Sequence, residues 1–179
     1  LRLAPGGYAY LFVRRGFSTF GVAITADFKS IDDRFDACLR RFQELEPFTP
    51  ETPRNGYSYM NFTLKESASP NGVHHVGEAA GFQDYLFGLG IRYALTTGVL
   101  AARALLQGTS YDQLWRAELG DRQQISLVNR ALYERGKNAG LALFARRAAG
   151  QDFHDYLRGW QRSSAWKRAV APLVAKIWR

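Results

Sequence analysis

Hydrophobic and polar positions alternate only near the start of the chain. From Tyr8 to Arg14 the residues YAYLFVR are rich in aromatic and β-branched side chains, Arg15-Gly16 offers a turn, and residues 17–25 resume the pattern. This reads as a β-hairpin. After Ser30 the period lengthens. Ile31, Phe35, Cys38, Leu39 and Phe42 recur at helical spacing with charges opposite, predicting an amphipathic helix that ends before Pro47. Three prolines between Pro47 and Gly56 make a loop that leads to YSYMNFTL, an expected strand over residues 57–64. A turn over residues 67–72 and a short buried strand over 73–76 follow. A helix is then expected over about residues 89–106, and further helices over 110–136, 138–149, 152–159 and 163–178. Strands come first and helices afterwards, which points to an α+β arrangement rather than a regular βαβ alternation.

Composition narrows the class. The 179 residues are 46% hydrophobic and 22% charged, enough apolar mass for a folded core, so wholesale disorder is excluded. The net charge of +8 is unevenly placed: 9 basic and 10 acidic residues lie up to Gly90, and 15 basic and 6 acidic residues after it. That asymmetry points to an anionic partner for the second half. The single cysteine, Cys38, cannot make an intrachain disulfide or a multi-thiolate metal site, and a reducing, cytoplasmic compartment is expected. The nearly apolar run over residues 94–106 is interrupted by Arg103 and is too short to span a bilayer. The chain opens Leu1-Arg2-Leu3 without the order of a secretory signal, and we expect it to be part of a longer protein.

The segment richest in chemistry is Val76-Gly77-Glu78-Ala79-Ala80-Gly81-Phe82, continued by Gly88-Leu89-Gly90-Ile91 and a helix of small residues. An expected strand ends in an acid, small residues permit close approach, and a glycine pair opens a helix. A carboxylate at Glu78 can accept from a ribose hydroxyl, and free N–H groups at Gly90 and Ile91 can face a pyrophosphate or an electron-rich ring edge. The same residues also fit a tight turn packed under a helix.

Residues 77–95, GEAAGFQDYLFGLGIRYAL, resemble without a gap the second flavin-binding motif of FAD-dependent oxidoreductases of the geranylgeranyl reductase, lycopene cyclase and aromatic hydroxylase superfamily. Pro5-Gly6-Gly7-Tyr8 and the aromatic hairpin after it resemble the start of a substrate-domain strand in the reductase branch. The resemblance implies the C-terminal fragment of a two-domain FAD-binding flavoprotein of the Rossmann, glutathione-reductase-like type. In that scheme residues 1–66 belong to a substrate-binding sheet domain, 67–107 to the end of the FAD-binding domain, and 108–179 to a helical tail. Glu78 stands where the family's acid binds the FAD ribose. Gly77, Ala79, Ala80 and Gly81 form its turn, and Gly88, Leu89, Gly90 and Ile91 stand where amides approach pyrophosphate and flavin. Glu78 replaces the usual Asp, and Tyr85 occupies the place of the usual Pro. The family's first Gly-x-Gly-x-x-Gly fingerprint is missing, so the fragment alone is expected to be inactive.

The implied activity is an FAD-dependent reduction, or other oxidoreductive change, of an apolar, isoprenoid-like or lipid substrate. NAD(P)H would be the electron donor by family analogy, and monooxygenase or halogenase chemistry stays open. The catalytic residues are not identified. Tyr8, Tyr10 and Phe12 alternate on one strand face and Tyr57 and Tyr59 on another, so a shared sheet would make either an aromatic substrate wall or core. His74 and His75 read as structural or solvent-facing. Asp84 reads as a loop cap or an acid near the flavin, and Arg92 as a counter-charge or a solvated surface residue. Trp115, Leu119, Arg122 and Ser126 read as packing. In the tail, Val170, Leu173, Val174 and Ile177 share a helical face while Lys167, Arg168, Lys176 and Arg179 populate the rest, with Trp160, Trp166 and Trp178 beside them. This stripe fits either a peripheral contact with an anionic membrane surface or docking on the protein itself. The competing class is a non-enzymatic basic module on a membrane or nucleic acid. No helix-turn-helix, zinc-finger or RNA-binding signature appears, and nucleic acid is not an expected partner.

Overall fold

The computed structural model describes residues 3–60 and 64–177. It is mixed α and β, dominated by helices, with two compact units, Leu1–Tyr57 and Ser58–Arg179. In the first unit, β1 (Tyr8–Arg14) and β2 (Phe17–Ala23) pair antiparallel in the register Tyr8 to Ala23 through Arg14 to Phe17. Arg15 and Gly16 both take positive φ, the turn geometry whose twist matches that of the strands. Tyr10 faces Gly21 across the ladder, and its ring lies where a side chain at Gly21 would be. Helix α1 (Ile31–Leu45) covers the opposite face. Phe20 meets Phe35 and Phe42 edge-on at 4.8 and 5.6 Å, and Cys38 is buried, its thiol pushed upward in pKa by burial.

The second unit is helical: α2 (Ile91–Gln107), α3 (Tyr111–Ala148), α4 (Phe153–Gln161) and α5 (Ala165–Ile177). Ser110 and Asp152 cap α3 and α4 by accepting from Gln113 N and Asp155 N. Lys137 breaks α3 with φ 46°, the junction at which the sequence divides residues 110–136 from 138–149. The core gathers Ala80, Phe82, Ala101, Ala104, Trp115 and Leu119. Past the break, Phe144 packs on Tyr156 and Trp160 of α4.

Asp112 fastens the irregular stretch before α2 to this scaffold. Its carboxylate accepts from Ser67 Oγ (2.6 Å), Ala68 N (2.8 Å) and Trp115 Nε1 (2.7 Å), while Tyr111 donates to His75 O at 3.0 Å. His74 bonds Ser69 and leans on Tyr111, a structural role for that residue.

Three expectations are corrected. Residues 57–60 form no strand, and residues 61–63 of that expected strand lie outside the described residues. Residues 73–76 are extended but pair in no sheet, and Val73 and Val76 are exposed. In the tail, Lys167 is not on the solvated side. It is buried, and its ammonium donates to Trp160 O. Val170 and Val174 share this half-buried side of α5 while Leu173 and Ile177 are exposed, so the expected apolar face is split. Trp178 and Arg179 lie outside the described residues. No helix among the described residues is long and apolar enough to cross a membrane.

Burial opposes the charge on Asp112, but the bonds from Ser67, Trp115 and Ala68, with Arg116 nearby, together hold its pKa below the usual carboxylate value. Its stabilisation is therefore complete above the unfolded carboxylate range and lost as pH falls on through the lowered pKa of the folded state. Asp112→Ala strands three donors and should cost about 2 to 3 kcal/mol in urea denaturation at neutral pH, with the gap from wild type closing toward acid. A gap independent of pH would show that the carboxylate charge is not what holds this junction.

Candidate functional site

The turn over Gly77–Ala80 is a single 3-10 turn, closed by Gly81 in the left-handed region. Gly77 has φ 57°, donates its N–H to Thr97 Oγ1 at 2.9 Å, and lies so near α2 that a side chain there would meet Ala94 at 3.0 Å. Thr97 closes the link by donating to Tyr93 O at 2.7 Å. Ala94 and Thr97 belong to the first two turns of α2, so Glu78 is held alongside the start of that helix. Glu78 and Ala79 are exposed, whereas Ala80 is in the core. The carbonyl of Ala79 accepts from Lys65.

From Phe82 to Leu86 the chain is buried, Tyr85 completely, which places an aromatic ring where the resemblance implies Pro. The Tyr85 hydroxyl donates to Gly81 O at 2.9 Å, and burial drives its pKa well above the ordinary phenol value. Tyr85 N donates to Ser126 Oγ of α3 at 2.7 Å, and that hydroxyl donates in turn to Asp84 Oδ1. The other Asp84 oxygen accepts from Phe87 N at 3.1 Å. Two backbone bonds, Gly88 N to Asp84 O and Asp84 N to Leu89 O, close the loop. Asp84 thus caps this loop.

The glycines of the motif differ in what demands them. Gly88 has φ 70°, a conformation that L side chains rarely adopt, while the nearby Met60 thioether is a flexible end that could shift. Gly77 is similarly constrained. Gly90 has φ −113° and would bring a Cβ no closer than 3.9 Å to any neighbour outside its adjacent residues, so neither conformation nor packing calls for glycine there. It is the N-cap of α2 and has no side chain to satisfy the first helical N–H groups.

That helix end opens on a cavity of about 560 Å³. Leu89, Gly90, Ile91 and Tyr93 form one side, and Ile125 and Ser126 of α3 lie behind them. Burial first, and then the Asp84 carboxylate, raise the Tyr93 phenol pKa against the opposing charges of Arg92 and Arg122, so this side chain stays protonated and able to donate. Arg92 and Arg122 both line the cavity. Arg122, grouped in sequence with packing residues, is thereby a residue of the cavity lining.

The four tyrosines do not share a sheet. Tyr8 and Tyr10 stack at 6.1 Å along β1, continued by Phe12 at 4.9 Å, on the face away from α1. Tyr57 and Tyr59 are exposed on irregular chain, and Tyr57 donates to Asp32 at 2.5 Å. The wall expected of all four is corrected for this reason: residues 57–60 supply no strand to carry half of it. No family model, no curated protein and no solved structure matches the chain.

Ser126→Ala should remove an acceptor from Tyr85 N and a donor from Asp84, both buried, for a loss of about 2 to 4 kcal/mol in denaturant unfolding. Gln124→Ala, at an exposed neighbouring position, should stay within about 0.5 kcal/mol of wild type. Equal effects from the two would show that the loop does not depend on the Ser126 hydroxyl.

Proposed function

We propose that Gly77 to Gln107 forms one shoulder of the cofactor site of an FAD-dependent oxidoreductase acting on an apolar, isoprenoid-like or lipid substrate. The observation that carries the reading is Gly90: a glycine the fold does not need, at the uncapped start of a 17-residue helix, facing open space. Glycine there leaves the backbone open to close approach by a ligand. The exposed Glu78 carboxylate, held beside the same helix by the Gly77 to Thr97 bond, is the acceptor that a ribose hydroxyl requires. The likeness of residues 77–95 to the flavin motif supplies the identity of the ligand.

In this reading FAD, when bound, supplies the hydride chemistry, with NAD(P)H as donor. The chain's own residues bind and orient. Glu78 holds ribose hydroxyls, and the amides from Gly90 onward meet a negatively charged edge with the positive end of the helix. Tyr93 offers a phenolic proton to the same opening. The exposed apolar face of α2, which includes Ile91, Leu95, Val99 and Leu106, accords with a helix that lies against another layer in such proteins.

The test uses protein expressed from its complete natural reading frame and reads flavin occupancy by visible absorbance. Glu78→Ala should weaken FAD retention by about 1.5 to 3 kcal/mol, and Glu78→Asp only mildly. Gly90→Val should lose FAD while keeping its melting temperature, since the fold has room for the side chain. Unchanged occupancy in both Glu78→Ala and Gly90→Val would overturn the reading.

A further inference from the structure

Facing the start of α2 across the cavity are residues outside the flavin-like motif. Arg122 comes from α3, Arg158 from α4, and Arg162 follows α4. With Arg92 they put four guanidinium groups around one opening. Arg158 is engaged by Asp155 at 3.3 Å and by His154 at 3.2 Å. Among the described residues, Arg92, Arg122 and Arg162 have no carboxylate partner. The cavity wall contains one carboxylate, Asp84, and its two oxygens are occupied by Ser126 and by Phe87 N. Like charges gathered in this way repel one another, and the positive end of α2 adds to them.

A second observation concerns Asn129 of α3, which lies on the same wall and is 2% exposed. Its Nδ2 donates to Trp160 O at 2.9 Å, which sets the direction of the amide and leaves Oδ1 without a hydrogen-bond partner. The carbonyl of Trp160 also accepts from Lys167, so it has reason to keep this geometry. That oxygen is shut off from water and is therefore closed to a ligand in the cavity as well; what the wall presents to an anion is its guanidinium donors.

We propose that this cleft is a binding site for a soluble phosphate-class anion: inorganic phosphate, or a small phosphate monoester. A monocarboxylate matches less well, because it has one charge for three guanidinium groups that lack a carboxylate partner. A phosphate group has several oxygens to accept from planar guanidinium forks. The site shares the opening at Gly90 and Ile91 with the flavin reading but does not rest on it, since Arg122, Arg158 and Arg162 lie outside the motif and need no cofactor to form it.

The experiment is calorimetric titration of the 179-residue chain with inorganic phosphate, glycerol 3-phosphate and acetate at one ionic strength, with melting temperatures as the check on folding. Saturable binding of both phosphates and none of acetate is expected. The paired variant Arg122→Gln with Arg162→Gln, both at exposed side chains, should raise the dissociation constant about tenfold or more. Arg146→Gln, an exposed arginine near the end of α3 and outside the cavity lining, should leave it unchanged. Vesicles of phosphatidylcholine with phosphatidic acid form a separate arm, and binding to them without binding of the soluble phosphates overturns the cleft in favour of a membrane surface. Phosphate binding lowered equally by Arg146→Gln overturns it in favour of diffuse basic charge, and absence of saturable phosphate binding overturns it outright. Glu78→Ala should not change the phosphate titration, which separates failure here from failure of the flavin reading.

Discussion

One hydroxyl group, that of Ser126, governs where the start of α2 lies. It is wedged between a backbone amide that must donate and a carboxylate that must accept, in surroundings where water does not compete. A side chain that can do both at once satisfies two buried groups belonging to consecutive residues, Tyr85 and Asp84. The loop they anchor is then closed on itself by the bonds around Asp84, Phe87, Gly88 and Leu89. Gly90 emerges from that loop in an orientation fixed by α3, and α2 begins there.

The same long helix organises the remainder of the second unit. Its first turns hold the stretch before the motif through Tyr111, Asp112 and Trp115. Its middle supplies Arg122, Ser126 and Asn129 to the cavity. Beyond the break at Lys137 it packs on α4 through Phe144. The carbonyl of Trp160 accepts from Asn129 of α3 and from Lys167 of α5 together, so three helices share one hydrogen-bonded junction. The cavity is built from this junction on one side and the motif loop on the other.

How much of this could be read from the sequence depended on whether the signal was periodic. The hairpin and α1 are legible because alternation over Tyr8–Arg14 and the stripe from Ile31 to Phe42 are local patterns with one structural answer. The end of α2 was marked by Gly108 and the break in α3 by Gly136 and Lys137, since glycine and a change of pattern punctuate helices. Of the strand expected over residues 57–64, residues 57–60 do not form one, because β-propensity needs a partner and they have none in the sheet. Lys167 was misplaced for the opposite reason: a tertiary acceptor, Trp160 O, overrides the usual solvation of lysine. In the candidate site, the turn at Glu78 and the glycines were visible as a motif. The contributions of Thr97, Arg122, Ser126 and Asn129 were not, because they arise from distant segments brought together by packing, which no short spacing encodes.

Glu78 and the uncapped start of α2 are the two halves of the ligand-binding edge proposed here, and amide NMR of the protein from its complete reading frame tests them together. On titration with FAD, the account predicts that resonances of Glu78, Gly90, Ile91 and Arg92 move in step with flavin binding, while those of exposed amides in α5 stay fixed. Bound FAD that leaves the Glu78 and Gly90 to Arg92 resonances unmoved, or a protein with no affinity for FAD, would contradict it.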